Sequence, residues 1–62
     1  MSAGPELSSI SSDLDGLTKR IAGTAEQFSG TARDDLATTL FEVERALQHA
    51  RRRLDTVIVE LR

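Results

Sequence analysis

Apolar residues recur along most of this chain in alternating steps of three and four. Leu7, Ile10, Leu14, Leu17, Ile21, Thr24 and Phe28 form one series, with Thr24 its single polar member. Leu36, Leu40, Val43, Leu47, Ala50, Leu54, Val57 and Leu61 form a second, with Ala50 its single small member. Such spacing lays an apolar stripe along one side of an α-helix and keeps it turned toward a neighbouring helix. No sustained period-two alternation competes with it, so the chain is expected to be all-α.

The two series are separated by Phe28-Ser29-Gly30-Thr31-Ala32-Arg33-Asp34. Gly30 suits the residue just past a helix end, where a left-handed backbone is common. Thr31 suits an N-cap, with Asp34 as a capping-box acid three residues on. Asp34 and Asp35 both favour the positive end of a helix dipole. Pro5 suits a first helical turn, where its missing N–H matters least. The expected organisation is a frayed N-terminus over 1–4, a helix over 5–28, a turn at 29–31 and a helix over 32–61. So short a turn makes the helices antiparallel, giving a coiled-coil-like two-helix hairpin. The rival architecture is one continuous coiled-coil helix with a stutter near 28–36, where the steps run 4, 4, 4 and local unwinding absorbs the mismatch.

The helices differ in intrinsic quality. The second is rich in Leu, Ala, Glu, Arg and Gln, whereas the first carries Ser8, Ser9, Ser11, Ser12, Gly16, Thr18, Gly23 and Thr24. An internal Gly costs ~1 kcal/mol relative to Ala, so the first helix depends on packing. Gly16 and Gly23, seven apart, share a helix face and read either as a solvent face or as a place for close approach of another backbone. Pairing about the turn is expected to match Ile21 with Leu40, Leu14 with Leu47 and Leu7 with Leu54. The second helix then overruns the first, and Val57, Ile58, Val59 and Leu61 form an uncovered apolar end suited to docking a partner. In this pattern Ile58 and Val59 point away from the stripe.

Sixty-two residues are few for a self-sufficient core, because chains near this size bury only about 60% of their unfolded surface. Self-association into a four-helix bundle, most simply as a homodimer, doubles the core. Its seam is expected to comprise Leu7, Ile10, Leu14, Leu17, Ile21, Phe28, Leu36, Leu40, Val43, Leu47 and Leu54. Cys, Trp and Tyr are absent and Phe occurs twice. That composition excludes a disulfide scaffold and a thiolate metal site, and leaves no aromatic platform for stacking bases. No stretch has the length of a membrane span, and no basic segment leads into an apolar one as in a signal peptide. The expected location is cytoplasmic, with export lacking a classical signal as the alternative.

Nothing in the sequence points to catalysis. His49 is the single His, no phosphate-cradling Gly loop is present, and no Ser, His and acid stand in a recognisable triad order. No enzyme activity, metal, cofactor or small-molecule substrate is expected. The net charge is −2, so a polyanion contact must rest on a local patch. Arg45, His49 and Arg52 share an outer face at i, i+4, i+7, while Arg51 and Arg53 flank the stripe. Arg51 can pair with Glu44 or Asp55 on neighbouring turns. Arg45, His49, Arg52 and Arg53 are thus the candidate phosphate contacts, against the plainer reading of a solvated flank whose Arg stems cover apolar surface.

Two resemblances follow from these residues. A hairpin of this length resembles, in architecture alone and over no motif, the small plasmid-encoded RNA-binding four-helix bundle proteins, which implies a nucleic-acid-binding alternative. Phe28-Ser29-Gly30 between two helices resembles the turn of the Trp-X-Gly helical hairpins exported by actinobacterial ESX-type machinery. There Phe28 stands in place of Trp and Gly30 matches, over about ten residues. That resemblance implies an exported bacterial hairpin with a similar-sized partner, and the chain departs from the family in having no Tyr for a Tyr-x-x-x-Asp/Glu signal. The leading expectation is a non-enzymatic helical scaffold or adaptor that self-associates and binds a protein partner through an apolar helix face.

Overall fold

The structure is a computed structural model that describes residues 3–62. Two helices, α1 (Ala3–Phe28) and α2 (Asp34–Glu60), pack against one another as an antiparallel hairpin. The rod measures 50 × 14 × 9 Å between Cα extremes. The continuous-helix alternative is therefore overturned: the chain reverses between Phe28 and Asp34.

Gly30 makes the reversal. Its φ of 74° is the one positive φ among the described residues, in the region that only a residue without Cβ enters cheaply. Hydrogen bonds on both sides fix the turn. The Ser29 N–H donates to the carbonyls of Ala25 and Glu26 at 3.2 and 3.3 Å, and the Thr31 N–H donates to Phe28 O at 3.1 Å. The Thr31 hydroxyl donates to the same carbonyl at 2.6 Å and accepts the Arg33 N–H at 3.2 Å. Asp34 reaches back as a capping acid does, but its Oδ1 accepts from the Gly30 N–H at 2.9 Å rather than from Thr31. The N-cap of α2 is Arg33, which makes no side-chain capping hydrogen bond, so the expected Thr31–Asp34 capping box does not form. Ala32 and Arg33 remain in the turn, and α2 begins at Asp34 rather than at 32.

At the other end of the rod α1 starts at Ala3, two residues before the expected boundary. Pro5 falls within the first turn, where its missing N–H interrupts no helical bond. Of the segment expected to fray, Ala3 and Gly4 are helical, and residues 1–2 lie outside the described residues. Ser8 and Ser12 lie beside Ile58 and Arg62. Helix α2 therefore does not overrun α1 as the stripe alignment suggested.

The face each helix turns inward is also rotated from the stripe. The fully buried residues are Ser11, Thr18 and Ala25 in α1 and Ala37 in α2. Ser11, Thr18 and Ala25 are seven apart and lie immediately beside the column Leu7, Leu14, Ile21, Phe28, whose members are half-buried. In α2 the inward column is Ala37, Glu44, Arg51 and Ile58, flanked by half-buried Leu40, Leu47 and Leu54. Small side chains at the contact let the helix axes approach, and no large side chain is fully buried.

Candidate interaction surface

Rotation of the contact gives the hairpin two unlike faces. Successive helical residues advance by 100°, so a column three residues from the half-buried one lies to one side and a column one residue on lies to the other. Because the helices run antiparallel, the corresponding columns of α1 and α2 emerge on the same side of the pair.

On the first side a polar clasp crosses between the helices. Arg51 Nη1 donates to Asp15 Oδ1 at 3.0 Å, and Arg51 Nε donates to Ser11 Oγ at 3.1 Å. Ser11 Oγ in turn donates to Asp55 Oδ1 at 2.6 Å. Lys19 Nζ closes on the other Asp15 oxygen at 3.1 Å. Arg51 thus pairs across the hairpin and not with Glu44 or Asp55 along its own helix. Among the described residues no buried side-chain polar atom lacks a hydrogen-bond partner. Thr18, which is buried, donates its hydroxyl to Leu14 O at 2.6 Å. An open cleft bounded by Asp15, Lys19, Glu44 and Arg52 lies over this clasp. Its acids and bases balance, so it offers no net field to an ion.

The second side is apolar and open. Ile10, Leu17, Val43 and Val57 belong to the stripe yet are exposed, Leu17 and Val57 by 47% and 46%, and Leu61 continues them at the end of α2. Ala50 lies between Val43 and Val57 and is exposed as well. Leu17, Ile21 and Thr24 of α1 line one groove together with Leu47 of α2, rimmed by Arg20. Farther along, Arg53, Leu54, Thr56 and Val57 line another.

The expected seam residues therefore divide. Leu7, Leu14, Ile21, Phe28, Leu36, Leu40, Leu47 and Leu54 are half-buried, while Ile10, Leu17 and Val43 face outward. The four residues expected at the docking end divide too. Val57, Val59 and Leu61 are exposed, but Ile58 is half-buried beside Ser8 and Ser12. It follows Arg51 by seven residues and so shares the inward column, contrary to the expectation that it points away. Of the candidate phosphate contacts, Arg45, His49, Arg52 and Arg53 are all exposed. The structure separates them: Arg53 rims the apolar side, whereas Arg52 borders the cleft over the clasp. Gly16 and Gly23 face open space, since a Cβ at either meets nothing within 4 Å. Close backbone approach by α2 is not what they serve.

Sequence reasoning missed the clasp. A signal existed in the run Gly4, Ser11, Thr18, Ala25, small at every seventh position, which offers a closer contact than the Leu and Ile column beside it. No helix of the described residues is long and apolar enough to cross a membrane. No family model, curated protein or solved structure matches the chain.

Proposed function

We propose that this protein is a non-enzymatic helical interaction module that self-associates through its open apolar side, two hairpins closing a four-helix bundle. The observation that carries the reading is the exposed line Ile10, Leu17, Val43 and Val57 beside a contact that buries no large side chain. A contiguous apolar surface of this kind marks a place where another chain sits. The rod of 50 × 14 × 9 Å has an accessible surface of 4636 Å², above the roughly 4,000 Å² of a compact monomer of this mass. A second rod laid alongside would cover part of that excess. Helix-face recognition is the mechanism: apolar knobs give the affinity and flanking charges set partner and direction.

Leu17→Asp tests it. Leu17 is exposed in the single hairpin, so the change should leave the helix signal of a monomer nearly intact and abolish the oligomer in sedimentation and light scattering. A wild-type protein that sediments as a stable, fully helical monomer at micromolar concentration would sink the proposal.

A further inference from the structure

We infer that the hairpin has two registers, the one described and a second that buries the whole apolar stripe within one chain, and that the clasp holds it in the first. The contacts Ser11–Asp55 and Asp15–Arg51 set level residues whose numbers sum to 66. The stripe is built for a smaller sum. Leu7 with Leu54, Leu14 with Leu47 and Ile21 with Leu40 sum to 61, and Ile10 with Ala50, Leu17 with Val43 and Thr24 with Leu36 sum to 60. The two sets alternate along the rod as the layers of an antiparallel coiled coil do, and Thr24 is the one polar member. Passing from the first register to the second slides α2 by about five residues, ~7.5 Å, toward the pole of the termini. Each helix also turns by about 50°, half of one residue step. That brings Ile10 and Leu17 inward in place of Ser11 and Thr18.

The turn suits both registers. By the clasp's sum, the start of α2 at Asp34 stands about four residues, ~6 Å, past the end of α1 at Phe28. Ala32 and Arg33 stay outside α2, and Arg33 caps it with no side-chain hydrogen bond. Sliding α2 draws this projection in. Ala32 and Arg33 then wind onto α2 behind Thr31, with Asp34 three residues on, which is the capping box that the first register leaves unformed. Different forces hold the two states. The first keeps the clasp bonds and the close approach over small residues. The second exchanges them for burial of Ile10, Leu17 and Val43, now exposed. The consequence for assembly rests on the self-association proposed above: the second register takes the docking line into the hairpin and leaves the last residues of α2 beyond the start of α1.

Arg51→Asp sets like charges against Asp15 and Asp55 and so forces the choice. Its helix signal should stay near that of the wild type, because the second packing receives the chain. Loss of most helicity would overturn the inference. The chain has no Cys, so Ile10→Cys with Ala50→Cys reports the register. In the first register this pair is offset by about six residues, ~9 Å along the rod, too far for a disulfide. In the second the two share a layer. Mild oxidation should close an intrachain disulfide about tenfold faster with Arg51→Asp than with the clasp intact, since access limits the exchange. Equal rates in two folded chains would overturn the inference. The cross-linked chain should sediment as a monomer, and one that still assembles would overturn the link between register and docking side. A wild type that is itself monomeric would sink the self-association alone, because cross-linking reads the register within one chain.

Discussion

The two sides of the hairpin solve the contact between the same helices by different means. The clasp side brings backbones close over Ser11, Thr18, Ala25 and Ala37 and ties them with hydrogen bonds from Arg51. The open side carries the larger apolar residues, yet leaves Leu17 and Val57 nearly half exposed. Hydrogen bonds demand angles and distances that only one register satisfies, whereas apolar contact is non-directional. The clasp therefore selects how α1 and α2 fit, and the open side holds the larger share of apolar area still available for burial.

The largest test of this division is Leu47→Asp. Leu47 reaches the groove shared with Leu17 and Ile21, so a charge there lies where both helices need apolar contact. Circular dichroism should show loss of most helicity together with loss of the oligomer, and an unaltered spectrum would mean the open side is not needed for folding. Gly30→Ala strikes the turn that decides which sides meet. With φ at 74° the new Cβ should cost about 1–2 kcal/mol, seen as a lower melting temperature with an unchanged helical baseline. Arg51→Met keeps most of the side-chain volume and removes the clasp's central donor. Arg51 and Asp15 retain 39% and 37% exposure, so water recovers part of the loss, and the expected cost is about 1 kcal/mol or less. Molar salt should shrink that difference, because the lost pair is partly screened in the wild type. A loss above about 3 kcal/mol would show that the clasp carries the fold itself.

The smallest effect belongs to the start of α2. Arg33 Nε and Nη2 donate to the two oxygens of Asp35 at 3.1 Å, which holds the Asp35 carboxyl below its ordinary value. A depressed carboxyl contributes stability above its unfolded pKa, and the contribution fades as pH falls through the folded one. Both side chains stand in solvent, so the change in melting is expected to be slight. The sharper observable is an NMR titration, in which Arg33→Ala should move the Asp35 midpoint upward.

The stripe spacing made the hairpin legible before any coordinates, because steps of three and four demand a helix and Ser29-Gly30-Thr31 demands a stop. The rotation of the contact was not legible from the stripe. Counting apolar residues favours Ile10 and Leu17 as contact residues. Close packing favours Ser11 and Thr18, whose hydroxyls find acceptors in Asp55 and in the Leu14 carbonyl. Their polar character kept those residues out of the apolar series. Arg51 was misassigned for a related reason: neighbours along one helix can be read from numbering, and a partner forty-odd or thirty-odd residues away cannot. The start of α1 at Ala3 rather than Pro5 is a smaller matter of the same sort, since a proline tolerates several positions within the first turn.

The near-equal lengths of α1 and α2 have a mechanical consequence. Ser8 and Ser12 lie beside Ile58 and Arg62, so the first and last turns share one pole of the rod while Gly30 holds the other. Tension applied between the two termini acts across the helix pair and peels it layer by layer, starting from the open pole, so that only a few contacts resist at any moment. The same load applied between the turn and one terminus runs along a helix axis and meets many contacts at once. The rod is thus a zipper when pulled by its ends and a strut when loaded from its turn, and what is attached where decides which of the two a neighbour encounters.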